Sequence, residues 1–267
     1  MKKVITYTDA EKEDFASWEI RQKKLPPDYA YFPKTPARRA AAFALYHFIA
    51  TPLVFLMQKG LYSERIVGRR KLRPYRKSGY FLYGNHTRAA GDAYAPSLIA
   101  FPKKAYIIAN PDCVSIPGLR RVVEDLGAMP LPTGAAGMRN FRRALHLHAE
   151  RDHVIAVYPE AHIWPYYTDI RAFPSTSFRY PAEEGKPVFT FTTVYHKRLF
   201  FSLPKTVVYI DGPFFPEEGR TPKENQELLR AASFAAMKRR AALSTYRHVE
   251  YVKAGPDSGR QSKTSAS

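Results

Sequence analysis

The sequence predicts an α/β fold: a mostly parallel central sheet flanked by helices, with an N-terminal apolar helix that associates with a membrane. Three observations predict it. Strand-like runs alternate with helical stretches from residue 79 onward. Several of those runs are continuously apolar, as strands covered on both faces are. Residues 40–57, AAAFALYHFIATPLVFLM, hold no formally charged side chain.

Taken in order, the polar opening segment 1–39 begins with MKKVITYTDAEKEDF, acidic after its two lysines. It lacks the apolar core of a signal peptide, so export is not expected. A helix over 40–57 reaches about 27 Å at about 1.5 Å per residue, just short of a bilayer core of roughly 30 Å. Pro52 predicts a kink, and His47 needs a polar partner. Three placements fit this helix: lying on or dipping into a membrane, burial against the domain, or a full span. The borderline length favours the first. Arg65, Arg69, Arg70, Lys71, Arg73, Arg76 and Lys77 follow, a polybasic stretch suited to an anionic cytoplasmic leaflet. This unit, 40–78, is followed by an α/β domain over 79–253 and a Ser/Gly-rich tail, 254–267, expected to be disordered.

Within the domain, strands are predicted at 79–85, 105–110, 153–159, 187–195 and 206–212, from their Val, Ile, Tyr, Phe and Thr content. Helices are predicted at about 93–101, 117–126, 137–151 and 222–246. Phe141, Leu145 and Ala149, four apart, mark one face of the third. Thr221, Pro222 and Glu224 supply the cap, the first-position proline and the capping-box acid of the last.

Composition narrows the partners. Forty-two Lys and Arg against 24 Asp and Glu leave a net charge of +18. That excess predicts an anionic partner: nucleic acid, anionic lipid headgroups or an acidic carrier protein. No RNA- or DNA-recognition module is present, and an apolar helix serves nucleic acid poorly, so nucleic acid is set aside. Cys113 stands alone, which excludes an intrachain disulfide and points to a reducing, intracellular compartment. There is no GxSxG elbow, P-loop, GxGxxG or HExxH. His146 and His148 sit two apart on a helix and point about 200° apart, so no metal site is expected.

The stretch FLYGNHTRAAGDAYAPSLI, residues 81–99, carries the chemistry. Its strand-like run ends at Asn85-His86, a small-residue turn follows, and Asp92 precedes a helix. Open α/β sheets build sites at strand ends. A histidine there suits general-base work on a hydroxyl, and a carboxylate on its second nitrogen fixes the tautomer. No serine nucleophile accompanies the pair, so the substrate's own hydroxyl would attack. Such chemistry fits direct acyl transfer from a thioester. The competing reading makes Asp92 only the N-cap of the helix. Backbone N–H groups near that helix start are candidate oxyanion donors. Glu160 ends an apolar strand, where a carboxylate is costly unless paired. It either hydrogen-bonds an acceptor hydroxyl, holds a basic neighbour, or forms a structural salt bridge.

These residues resemble the phospholipid/glycerol acyltransferase family, the group that includes 1-acylglycerol-3-phosphate acyltransferases. The family's first block, a His and Asp four residues apart at a strand-to-helix turn, is met by Asn85-His86-Thr87-Arg88-Ala89-Ala90-Gly91-Asp92, with five residues between. Ala90-Gly91 is a permissive place to absorb the extra residue, since Gly tolerates positive φ. The second block, ending in arginine, is matched loosely by GAMPLPT, 127–133. The third, Phe-Pro-Glu-Gly-Thr-Arg, is matched by VYPEAHI with Pro159 and Glu160 retained. The fourth, a Pro-rich apolar strand, is matched by GKPVFTFTTVY. The blocks come in order across roughly 79–213.

The resemblance implies a His86 base, an Asp92 partner, an acyl-CoA or acyl-carrier-protein donor and a lysophospholipid or glycerolipid acceptor. It implies substrate contacts from Asn85, Pro159 and Glu160, with no metal or bound cofactor, at the cytoplasmic face of a membrane as a peripheral or monotopic protein. Thr133 and Ile163 stand where the family's phosphate-holding arginines fall. Arg139 and Arg142, on the helix expected to start near Gly137, and His162, beside the third block, are the nearest replacements. Alternative functions are transfer to another lipid hydroxyl, a catalytically silent membrane-binding member, or a thioester or lipid hydrolase.

Overall fold

The structure, a computed structural model, describes residues 3–15, 24–88 and 91–254. In chain order its main elements are β1 (Lys3–Tyr7), α1 (Pro36–Tyr62), β2 (Arg65–Val67), β3 (Tyr80–Gly84), α2 (Ala95–Ala100), β4 (Ala105–Ala109), α3 (Arg120–Asp125) and β5 (Ala128–Pro130). There follow α4 (Ala135–Glu150), β6 (Val154–Val157), α5 (Arg179–Glu184), β7 (Val188–His196), β8 (Lys205–Phe214), α6 (Pro222–Ala241) and β9 (Val249–Lys253).

Seven strands form the central sheet in the order β2-β8-β7-β3-β6-β4-β5. Every neighbouring pair is parallel except the β7–β8 hairpin. The sheet is therefore mostly parallel, as the apolar runs predict. Alternate residues of β3 serve opposite faces. Phe81 and Tyr83 join Phe141 and Leu145 of α4, Phe178, and Leu229 and Met237 of α6. Tyr80 and Leu82 join Ala95 and Ile99 of α2, Phe189, Phe191 and Ile210. Helices thus cover both faces, and β3, in the middle, delivers its C-terminal end between them.

All five predicted strands are present. The short β2 and β5, three residues each, gave too little pattern to find. The last helix starts on its predicted capping box, with the Thr221 side chain accepting from Glu224 N and the Glu224 carboxylate accepting from Thr221 N. It ends at Ala241 rather than 246, because the Thr245 and Tyr246 N–H groups donate to Tyr195 O and pull the chain onto β7. The polar N-terminal segment enters the fold through β1, which pairs in parallel with β9. Of the predicted tail, 255–267 lies outside the described residues.

Helix α1 runs well beyond the apolar stretch, over 27 residues, and only 22% of its most apolar window is buried. A buried core helix would show the reverse. Its outer face exposes Phe48, Ile49, Leu53, Leu56 and Leu61. The expected disturbance at Pro52 takes the form of a π-helical turn over Leu45–Ala50. Widening the helix there relieves the clash of the proline ring with the preceding turn and its missing N–H. His47 finds its partner in Pro102 O, 3.0 Å from Nε2.

The polybasic stretch lies elsewhere. β2 runs parallel to β8 and opposite to β3, so it carries 69–77 to the sheet edge away from His86. Two of its cations are engaged internally: Arg69 donates to Ile99 O and Phe101 O, and Lys71 to Ile210 O and Asp211.

Candidate active site

β3 sits between β6 and β7, so three of the four sequence blocks arrive on adjacent strands. Gly84 is the last strand residue. A Cβ there would lie 2.1 Å from the Phe191 ring, so only glycine admits that ring. Phe191 in turn packs edge-on to Tyr158, and Tyr158 stacks on the His86 imidazole with centroids 4.4 Å apart. Burial keeps the Tyr158 phenol protonated, and its hydroxyl donates to Asp92 O.

His86 Nδ1 lies 2.9 Å from Asp92 Oδ2. The carboxylate is buried, at 1% exposed, while the imidazole is 17% exposed. Asp92 Oδ2 also accepts from Thr87 N at 2.7 Å and Arg88 N at 2.9 Å. These bonds close the turn around the carboxylate and place the Nδ1 proton toward it, which leaves Nε2 as the basic nitrogen. The N-cap reading does not hold. Helix α2 begins at Ala95, its N-cap is Tyr94, and no side chain caps it. The oxyanion expectation also changes, because N–H groups at the start of α2 are engaged within the turn: Tyr94 N and Ala95 N donate to Gly91 O, and Ser97 N to Tyr94 O.

Behind the pair stands a residue that pattern reading passed over. Arg88 is buried, its Nε 3.5 Å from Asp92 Oδ1. Its Nη1 donates to Glu64 Oε2 at 2.5 Å and to Gln58 Oε1 at 3.0 Å. Burial opposes the Arg88 charge, but Glu64 and Asp92 outweigh it and raise its pKa. The end of α1 is thereby wired to the dyad. Gly91 makes the arrangement possible: a Cβ there would meet Arg88 Nε at 2.9 Å. Its small size is what admits the Arg88 guanidinium so close to the turn.

Glu160 holds a basic neighbour and the site's backbone. Its Oε2 accepts from His86 N at 3.2 Å, and its Oε1 from Arg171 N at 3.1 Å. The Arg171 guanidinium lies 3.4 Å from Oε2 and stacks 5.0 Å over the Trp164 ring. Burial pushes the Glu160 carboxyl up, against the pull of Arg171 and these N–H donors. The loop between them forms a wall: Trp164 N donates to His86 O and Tyr166 N to Thr87 O.

Several expected substrate contacts are corrected. The Asn85 amide is buried and bonds both Thr193 O and Thr193 N, continuing the ladder to β7. Pro159 is buried in the turn that follows β6. Glu160 braces the backbone rather than facing a hydroxyl. His162 turns to Asp14, 3.6 Å away. Arg139 and Arg142 are not brought to His86. Helix α4 starts at Ala135, two residues earlier than expected, which moves Arg139 out of the first turn. Both arginines line a cleft of about 400 Å³ with Tyr180, Glu183 and Glu184, on the sheet face opposite α2, and Arg142 pairs with Glu183. Among the described residues, no metal-binding group of His, Cys, Asp or Glu occurs.

Ala161 stands where the family's third block has glycine. It is exposed and left-handed, with φ of 62°. An L-residue there costs about 1–2 kcal/mol. Ala161→Gly is expected to stabilise the fold by about 1 kcal/mol, part of the relief being offset by the entropy of glycine in the unfolded chain. Urea denaturation checks this, and an unchanged or lowered midpoint contradicts it.

No protein-family model matches the chain, and no curated protein matches it in sequence. Among solved structures it is similar to the 1-acyl-sn-glycerophosphate (LPA) acyltransferase PlsC from Thermotoga maritima. The TM-score is 0.54 at 14% identity, over 81% of this chain and 87% of that one. The likeness establishes the fold: a mostly parallel central sheet with flanking helices.

Proposed function

We propose that the protein is a membrane-associated acyltransferase. It moves a fatty-acyl group from a thioester, acyl-CoA or acyl-carrier protein, to a hydroxyl of a lysophospholipid or glycerolipid, with 1-acylglycerol-3-phosphate the first candidate. One observation carries this reading: a His86–Asp92 pair at 2.9 Å, at a strand end, with no serine or cysteine hydrogen-bonded to it among the described residues. His86 Nε2 takes the proton of the acceptor hydroxyl, and the oxygen attacks the thioester carbonyl. Asp92 stabilises the imidazolium as it forms, and the proton leaves with the departing thiol. The likeness in fold to an acyltransferase and the exposed face of α1 support the same reading.

The test is thiol release from an acyl thioester with and without lysolipid. Release that depends on the acceptor supports transfer; equal release without it means hydrolysis; none at all favours a silent binding protein.

A second reading, transfer to a lipid without phosphate, is favoured by a specific observation. Arg88, which faces Asp92, and Arg171, which holds Glu160 behind His86, are committed to carboxylates and carbonyls. The comparison is kcat/KM for lysophosphatidic acid against its dephosphorylated counterpart. A phosphate held by one charged hydrogen bond predicts a preference of roughly tenfold to a hundredfold. Equal use selects the second reading. Arg139→Ala is expected to leave the ratio unchanged, since Arg139 lies in the cleft on the far face.

A further inference from the structure

We propose that the tip of the β7–β8 hairpin, Leu199–Phe201, is a second membrane-inserting element that seats in an anionic lipid bilayer together with the outer face of α1. The inference rests on the membrane association proposed above and adds its geometry.

The tip carries three consecutive apolar side chains in water: Leu199 is 87% exposed, Phe200 90% and Phe201 61%. Isolated surface apolar residues are ordinary, but a contiguous patch of this kind marks an interaction site. Its position in the fold matters. β7 runs parallel to β3, so the hairpin turns at the same sheet edge where His86 emerges. The tip is also fastened to α1. Arg198 donates to Leu61 O, in the last turn of that helix, at 2.6 Å, and its guanidinium lies 3.7 Å from the Phe201 ring centroid. A cation at that position completes the C-terminal carbonyls of the helix. The apolar tip is therefore held beside the C-terminal end of the helix, where Leu61, Leu56 and Leu53 are also exposed.

Charge selects the occupant. The tip sequence from Lys197 to Lys205, KRLFFSLPK, holds no acidic residue. Lys197 and Lys205 are exposed on its two shoulders, and Arg65 is exposed on β2, which pairs with β8. An apolar apex ringed by cations fits an interface where rings enter the acyl region and ammonium groups stay with anionic headgroups. The same ring of like charge disfavours pairing of two tips between copies of this chain. The polybasic stretch 69–77, at the far edge, does not supply this contact.

The experiment is sedimentation of the full-length protein with vesicles of phosphatidylglycerol and phosphatidylcholine, alongside circular dichroism and melting of each variant. Phe200→Asp is expected to weaken partitioning about tenfold or more with the melting midpoint unchanged, and Phe200→Leu to retain it. Lys197→Gln with Lys205→Gln should weaken binding to the anionic vesicles and leave binding to pure phosphatidylcholine unaltered. If Phe200→Asp binds like wild type while Leu53→Asp does not, the helix is the anchor alone and the proposal is overturned. Phe200→Asp dissolving a vesicle-free dimer would make the occupant a second copy, which also overturns it. A wild type that ignores vesicles sinks the tip and membrane association together. Because the assay involves no turnover, the acyl-transfer chemistry is judged separately by thiol release.

Discussion

His86→Ala is expected to lower acyl transfer by about 10²–10⁴-fold, the usual cost of a lost general base. The side chain touches Asp92 and Tyr158, and its own exposure is low but not nil. Its removal leaves a small gap at the sheet edge rather than a hole in the core, so circular dichroism should be unchanged. Asp92→Asn should also cut the rate strongly. The amide retains an oxygen for Thr87 N and Arg88 N, but loses the charge that stabilises the imidazolium and faces Arg88. Near-normal turnover in folded His86→Ala contradicts the assignment.

Arg88→Ala is expected to have the largest effect on stability. Arg88, Glu64 and Asp92 are all buried, and the arginine faces both carboxylates. Removing it strands two buried charges, which costs about 3–5 kcal/mol. That is a large share of the total stability of an ordinary domain. Activity should fall as well, since Asp92 loses the partner of its second oxygen. The double variant Arg88→Met with Glu64→Gln should recover part of the stability, because it leaves one buried carboxylate unpaired by arginine instead of two, and Asp92 keeps its bonds from Thr87 N and the backbone N–H of residue 88. Urea denaturation of the single and double variants gives both numbers. A single-variant loss under about 1 kcal/mol would falsify the network as a structural brace.

How much of this was legible in the sequence depends on residue type. The core strands were readable because β3, β6 and β7 are almost wholly buried and therefore nearly continuous in Val, Ile, Phe and Tyr. His86 and Asp92 were readable because a histidine at a strand end followed by a carboxylate across a turn has few uses. Arg88 was not. It falls between the two, in a chain with forty-two cations, and nothing in spacing separates a buried arginine from a solvated one. The one available signal was Glu64, the first acid after a long apolar helix. Arg139 and Arg142 failed for a related reason: proximity in sequence to the second block says nothing about which sheet face α4 covers. The tip at Leu199–Phe201 shows in sequence only as three apolar residues between cations, indistinguishable from the end of a strand.

Acyl transfer that depends on His86 is tested by mass-spectrometric detection of the acylated product. Wild type and His86→Ala would each be given an isotopically labelled fatty-acyl thioester, lysolipid and vesicles. Wild type is expected to give labelled acyl chain in ester linkage on the acceptor, accompanied by free thiol, and His86→Ala neither above background. Labelled free fatty acid without acylated lipid, or product formed equally by the variant, would contradict the assignment.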